Sequence, residues 1–95
     1  MLGKKVIIRT ESAGVHYGTL QIRDGRECVL SNARRLWYWQ GAASLSQLAI
    51  DGPKDPEACK FTVRVEQILL LEAIEIIPVT DRAEKVIEGV NEWKK

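Results

Sequence analysis

The chain has 95 residues, of which 45% are hydrophobic and 28% charged, and its 14 Lys and Arg against 13 Asp and Glu leave a net charge of +1. That length supports one modest core and one domain, residues 1–95, and the near-neutral total excludes a polybasic nucleic-acid binder or an acidic mimic for the molecule as a whole. The total hides a split, because residues 1–40 carry seven basic side chains against three acidic ones and residues 41–95 carry seven against ten.

Met1-Leu2-Gly3-Lys4-Lys5 runs straight into a strand pattern with no apolar stretch of a signal peptide. The longest apolar run, Ile68 to Leu71, falls far short of the roughly 20 residues of a membrane span. Lys4 to Thr10 is short and β-branched, hence a first strand. Ser12-Ala13-Gly14 turns the chain, Val15 to Arg23 resumes as strand, and Asp24-Gly25 predicts a two-residue type I′ hairpin into a third strand that ends near Leu30. Ser31-Asn32 permits a bend, and Ala33 to Gln40 continues as a fourth strand. Ser44 followed by Gln47 is a capping box for a short helix at about 44–51, stopped by Gly52-Pro53. Residues 52–60 read as a surface loop. Phe61, Val63 and Val65 alternate as a strand, and Gln67 to Val79, where a Leu-rich start tolerates helix, is assigned as a buried strand on its Ile and Val content. A last helix at about 81–93, capped by Asp81 with Glu84, aligns Ala83, Val86, Ile87, Val90 and Trp93 on one face. That face packs on the chain's own sheet or on a second subunit, with Val86, Val90 and Trp93 as the interface residues in the second case. The expected fold is mainly β with two helices, a small strongly bent antiparallel barrel or curled sheet.

Cys28 and Cys59 stand 31 positions apart without a C-x-x-C pair and read as reduced, half-buried thiols. One His with two separated Cys does not assemble a structural metal site, so no metal and no cofactor is expected. Catalysis has little support: there is no Gly-x-Ser-x-Gly, no His-x-x-x-His and no phosphate loop, and Ser12, Ser44 and Cys28 share a single candidate base, His16.

The densest chemistry is Arg34-Arg35-Leu36-Trp37-Tyr38-Trp39, which holds three of the six aromatic residues. Strand alternation puts Arg35, Trp37 and Trp39 on one face and Arg34, Leu36 and Tyr38 on the other. Indole beside guanidinium suits a nucleotide, the ring stacking on a base and the fork holding phosphate. The plainer alternative stays open, with one Trp in the core, another capping the barrel and the arginines solubilising an edge. Arg9, Ser12 and His16 flank a Ser-Ala-Gly turn whose backbone N–H groups suit an anion.

Two family resemblances add to this. Gly18-x-Leu20-x-x-x-Asp24 followed by Leu30-x-x-Ala33, within residues 5–33, resembles the first motif of Sm-like RNA-binding proteins and implies a bent small barrel. Residues 26–28 are Arg-Glu-Cys where that family has an Asn, and no Arg-Gly pair follows. Arg9-Thr10-x-Ser12-Ala13-Gly14-Val15-His16-x-Gly18 with Ala33-Arg34-Arg35-x-Trp37-Tyr38-Trp39-x-Gly41-Ala42-Ala43-Ser44-Leu45-Ser46-Gln47-Leu48-Ala49 resembles a family of uncharacterised small proteins of tailed bacteriophages and prophages. That resemblance implies a non-enzymatic phage accessory protein in the host bacterial cytoplasm, countering antiviral defence by binding a nucleotide signal or a defence protein. The alternatives are an Sm-like single-stranded nucleic-acid module and a virion or assembly component. The opposite charges of the two halves and the amphipathic last helix point to a homo-oligomer. The candidate ligand residues are Arg9, Ser12, His16, Arg34, Arg35, Trp37 and Trp39.

Overall fold

A computed structural model describes residues 1–95. It contains β1 (Lys5–Thr10), β2 (Val15–Asp24), β3 (Glu27–Tyr38), α1 (Leu45–Asp51), a 3-10 turn (Pro56–Ala58), β4 (Lys60–Thr62), β5 (Val65–Leu70), β6 (Ala73–Pro78), α2 (Asp81–Glu88) and β7 (Glu92–Trp93). The strands lie in the order β6-β1-β2-β3-β4-β7, and β5 pairs β3 beside β4. All neighbours are antiparallel except the β4–β7 pair. The protein is thus mainly β with two helices, a curled sheet that stays open because β5 pairs only β3 and β6 pairs only β1.

The curl comes from two residues facing each other across the long hairpin. Gly18 leaves room for β3: a Cβ there would stand 3.0 Å from the Ser31 carbonyl oxygen and 3.2 Å from Ala33 Cα. Opposite, Asn32 takes a left-handed φ of 50°, which asparagine tolerates better than most residues, where the register slips between the Tyr17 and Thr19 pairings. The expected bend at Ser31-Asn32 is therefore present. It is absorbed as a bulge, so the third and fourth expected strands are one 12-residue strand. The hairpin turn is also displaced. Asp24 pairs Glu27, and only Gly25 (φ 61°) has positive φ, which fits type II′ rather than I′.

Two apolar clusters flank the sheet. Val6, Ile8, Leu20, Leu30 and Leu70 fill the inside of the curl, while Ile7, Tyr17, Leu36 and Phe61 meet Leu48, Ala83, Ile87 and Val90 on the helical side. β1 is buried on both faces, which explains its unbroken Val-Ile-Ile run. Both thiols are buried and free rather than half-buried, and burial raises the pKa of each.

α1 follows its sequence signal: the Ser44 hydroxyl accepts from Gln47 N at 3.1 Å, and Gly52 (φ 74°) ends it. Residues 67–79 are not one strand. Leu71-Glu72 forms a corner that carries the chain from β3's neighbour to β1's neighbour. The last helix begins at Asp81 as expected but ends early, at Glu88. Thr80, not Asp81, is its N-cap, accepting from Ala83 N at 3.1 Å. It stops at Gly89, so Trp93 leaves the helix for β7. Its apolar face turns inward: Val90 lies in the chain's own core and Val86 abuts Gly52, where a Cβ would be 2.8 Å from Val86 Cβ. Neither valine forms a free interface face.

Candidate ligand-binding face

Alternation along β3 sends Arg34 and Leu36 inward and Arg35 and Trp37 outward. Arg34 is 1% exposed and spends its guanidinium on four backbone contacts. Nη1 donates to Ile87 O and Val90 O at 3.0 Å each, Nη2 to Phe61 O and Nε to Thr62 O at 3.2 Å each. The ring of Phe61 lies 5.5 Å beneath it. Burial, and then Arg64, lower its pKa, against Glu92 and Glu88, but a guanidinium remains charged at any physiological pH. Placed at the carboxyl end of α2, that charge meets the negative pole of the helix. Arg34 ties α2 to β4, and its donors are committed to the interior.

The Ser-Ala-Gly turn is likewise closed on itself. Thr10 Oγ1 donates to Gly14 O at 2.7 Å and accepts from Ala13 N at 2.9 Å. Ser12 Oγ bonds the Glu72 carboxylate, and Arg9 Nε donates to Glu75 Oε1 at 2.8 Å. Buried His16 bonds Ala13 O through Nε2 at 2.9 Å. A carbonyl only accepts, so Nε2 carries the proton. Burial holds His16 below its ordinary pKa, the Ala13 bond works the other way, and Arg35 depresses it further. The turn therefore brings Arg9 and Ser12 to carboxylates, leaving no open anion cradle.

The outward residues form a different constellation. β3 and β4 pair Leu36 with Phe61 and Tyr38 with Lys60, so Trp37 and Tyr38 together oppose Lys60. This two-for-one pairing breaks alternation and removes Tyr38 from the Arg34–Leu36 face. β7 then pairs Trp93 with Thr62 and brings its indole onto Trp37, centroids 5.2 Å apart and planes 28° from parallel. Lys60 Nζ lies 5.6 Å from the Trp37 centroid, 5.4 Å from Trp93 and 6.0 Å from Tyr38. Trp37 is 58% exposed, Trp93 42% and Tyr38 40%, so the rings keep free surface. Trp39 is elsewhere, half-buried against the helical cluster.

One strand step from this aromatic group, Arg35 stands at a cleft of about 190 Å³ that also involves His16, Thr62 and Val65. A larger hollow of about 590 Å³ sits between Met1, Leu20, Arg23 and β6, with no aromatic lining. Of the charged residues named, Arg9 is ion-paired and Arg34 internally bonded, whereas Arg35 and Lys60 join none of the six ion pairs. Sequence reasoning missed Lys60, Thr62 and Tyr38. Lys60 falls in the loop expected at 52–60, whereas extending the alternation about Phe61 back by one residue puts it on the Thr62 face; that β4 lies beside the Trp37 end of β3 has no local signal.

Fold and site define a small curled-sheet protein with an exposed aromatic and cationic face and a buried arginine behind it. The chain belongs to the family described as Domain of unknown function (DUF6948), whose model matches residues 3–87. The matched span includes Arg35, Trp37 and Lys60 and stops before Trp93. No curated protein matches the chain.

Proposed function

We propose that this is a non-enzymatic phage accessory protein that counters bacterial defence in the host cytoplasm by sequestering a small anionic nucleotide signal. The observation that carries the ligand class is the outward group of Trp37, Trp93, Lys60 and Arg35: stacking surface and two cations free of carboxylate partners on one face. Stacking on an indole is worth about 1–3 kcal/mol per base and tolerates any base, while an unpaired guanidinium supplies a forked phosphate donor. The phage setting rests on the resemblance of the Arg9–Gly18 and Ala33–Ala49 segments to phage and prophage proteins. Isothermal titration against cyclic and ADP-ribose-type nucleotides is the test: saturable heat from at least one supports the reading, and flat traces for all with a folded protein refute it.

The reading includes a homo-oligomer. Ile22 pairs Val29, and Val29 pairs Leu69, so an apolar row crosses β2, β3 and β5; Ile22 is 57% and Leu69 56% exposed. β5 is bonded only to β3, which leaves its far backbone edge for the same strand of a second copy. Sedimentation at high micromolar concentration should show a dimer or larger species that Leu69→Lys converts to monomer. A wild-type monomer refutes self-association.

A further inference from the structure

We propose that the cleft beside Arg35 is a phosphate subsite, and that the ligand is a mononucleotide with its base on the Trp37–Trp93 pair and its phosphate in this cleft. The inference rests on the nucleotide reading and narrows it to a compact ligand.

The cleft has the chemistry of an anion site. No Asp or Glu lines it, and Arg34 and Arg35 supply its positive charge, with His16 as a further wall. The Arg34 donors are used internally, but its charge lies in the cleft wall, and a low-polarity surrounding strengthens its field. The Arg35 side chain is exposed and unpaired, so its fork is available for bidentate phosphate contact. Thr62 Oγ1 already accepts from Arg35 N at 3.0 Å, and its hydroxyl reaches Val63 O only at 3.4 Å. That contact is at the weak limit of a hydrogen bond, so the proton is free to turn toward an anion. At about 190 Å³ the cleft is too small for a whole nucleotide and large enough for a phosphoryl group.

Spacing joins the two subsites. Arg35 and Trp37 are two residues apart on one strand face, about 7 Å at the rise of a β-strand, a gap that a ribose bridges between base and phosphate. Thr62 and Trp93 are direct partners across β4 and β7, so the residue that carries the cleft's hydroxyl stands beside the one that carries the second indole. The site is one aromatic group, with Lys60 among its rings, beside one cleft that holds Arg35, and this pattern holds one nucleotide better than an extended strand.

The test is calorimetry on the full chain with the four ribonucleoside 5′-monophosphates, their parent nucleosides, and a ten-nucleotide single-stranded uridine oligomer. A monophosphate should bind at least tenfold more tightly than its nucleoside. Arg35→Gln should erase that preference while leaving nucleoside affinity within twofold, and Trp37→Ala should weaken both ligands. Arg35 is on the surface, so its variant should fold, which circular dichroism checks. Equal affinity for monophosphate and nucleoside, or an unchanged preference in Arg35→Gln, overturns the phosphate subsite while nucleotide binding stands. An oligomer bound a hundredfold more tightly than every monophosphate overturns the compact ligand in favour of a nucleic-acid strand. No binding of any nucleotide, here or in the cyclic and ADP-ribose panel, removes the nucleotide reading itself.

Discussion

Replacing Arg34 with methionine keeps most of the side-chain volume and removes the donors that reach Phe61, Thr62, Ile87 and Val90 carbonyls. Swapping a buried ion pair for hydrophobic groups can be neutral because both charges go. Here the acceptors are backbone and remain. Hydrogen bonds to a charged donor contribute about 1.5–3 kcal/mol each, but they are not additive. Ile87 O keeps a second donor, Val90 N at 3.2 Å, and methionine recovers some burial. Together these reduce the expected cost to about 3–5 kcal/mol, a large share of the roughly 5–15 kcal/mol available to a domain of this kind. With a urea slope of about 1–1.5 kcal/mol per molar, the midpoint should fall by about 2–5 M. Arg34→Lys should recover little, because one ammonium cannot reach carbonyls on both β4 and α2 from the guanidinium's planar fork. The neighbouring Arg35→Met is the control and should shift stability by less than about 1 kcal/mol, as surface changes do. If Arg34→Met unfolds within about 1 kcal/mol of wild type, the clamp is not holding α2 and the reasoning fails.

Three further outcomes follow from geometry already described. Gly18→Ala should cost about 1–3 kcal/mol in urea unfolding, because the new Cβ meets backbone atoms of β3 at 3.0 and 3.2 Å; a neutral variant would mean the hairpin bends elsewhere. Glu88 receives the Tyr17 hydroxyl at 2.7 Å and contacts Lys5 and Arg64. Burial pushes its pKa up, but those three partners outweigh it and the net shift is downward. A depressed carboxyl stabilises the fold above its unfolded pKa, near 4.3, and loses that contribution as pH falls through the folded value. The stability gap between wild type and Glu88→Gln should therefore be full at pH 7 and close below pH 4, and a gap independent of pH counts against an ionic role. Trp93→Ala should abolish the near-ultraviolet dichroism of the Trp37–Trp93 pair with a far-ultraviolet spectrum unchanged; an intact aromatic signal would place the indoles apart in solution.

Local chemistry made some of this fold readable in advance. Ser44, Gln47 and Gly52 specify α1 through bonds that close within one turn, and Gly18 with Asn32 marks the bend because both residues are tolerant of unusual backbone or close approach. The misses share a physical cause, partners distant in sequence. Arg34 looks like a surface donor until carbonyls 53 and 56 positions later enclose it. Trp93 fits a helical stripe until Gly89 ends the helix and Arg64 holds Glu92, through N and Nη1 at 3.1 Å each, in β7. Arg9 and Ser12 resemble an anion cradle until β6 supplies Glu75 and the corner before it supplies Glu72. Of the candidate site, the Arg35–Trp37 pair is legible from alternation alone; Lys60 and Trp93 arrive through strand pairing that no local pattern encodes.

The same distant bonds set an order of events for a chain emerging from the ribosome. The 27–38 hairpin strand is synthesised early, yet its inward arginine has acceptors at Ile87 and Val90, and the first strand waits for residues 73–78 to cover its second edge. Until residues 87–90 are made, a charged guanidinium faces what will become the core, and water is its only adequate partner. A fragment that stops before the end of α2 lacks the carbonyls that make burial of that charge tolerable. Arg34 thereby couples burial of an early strand to the arrival of a late helix.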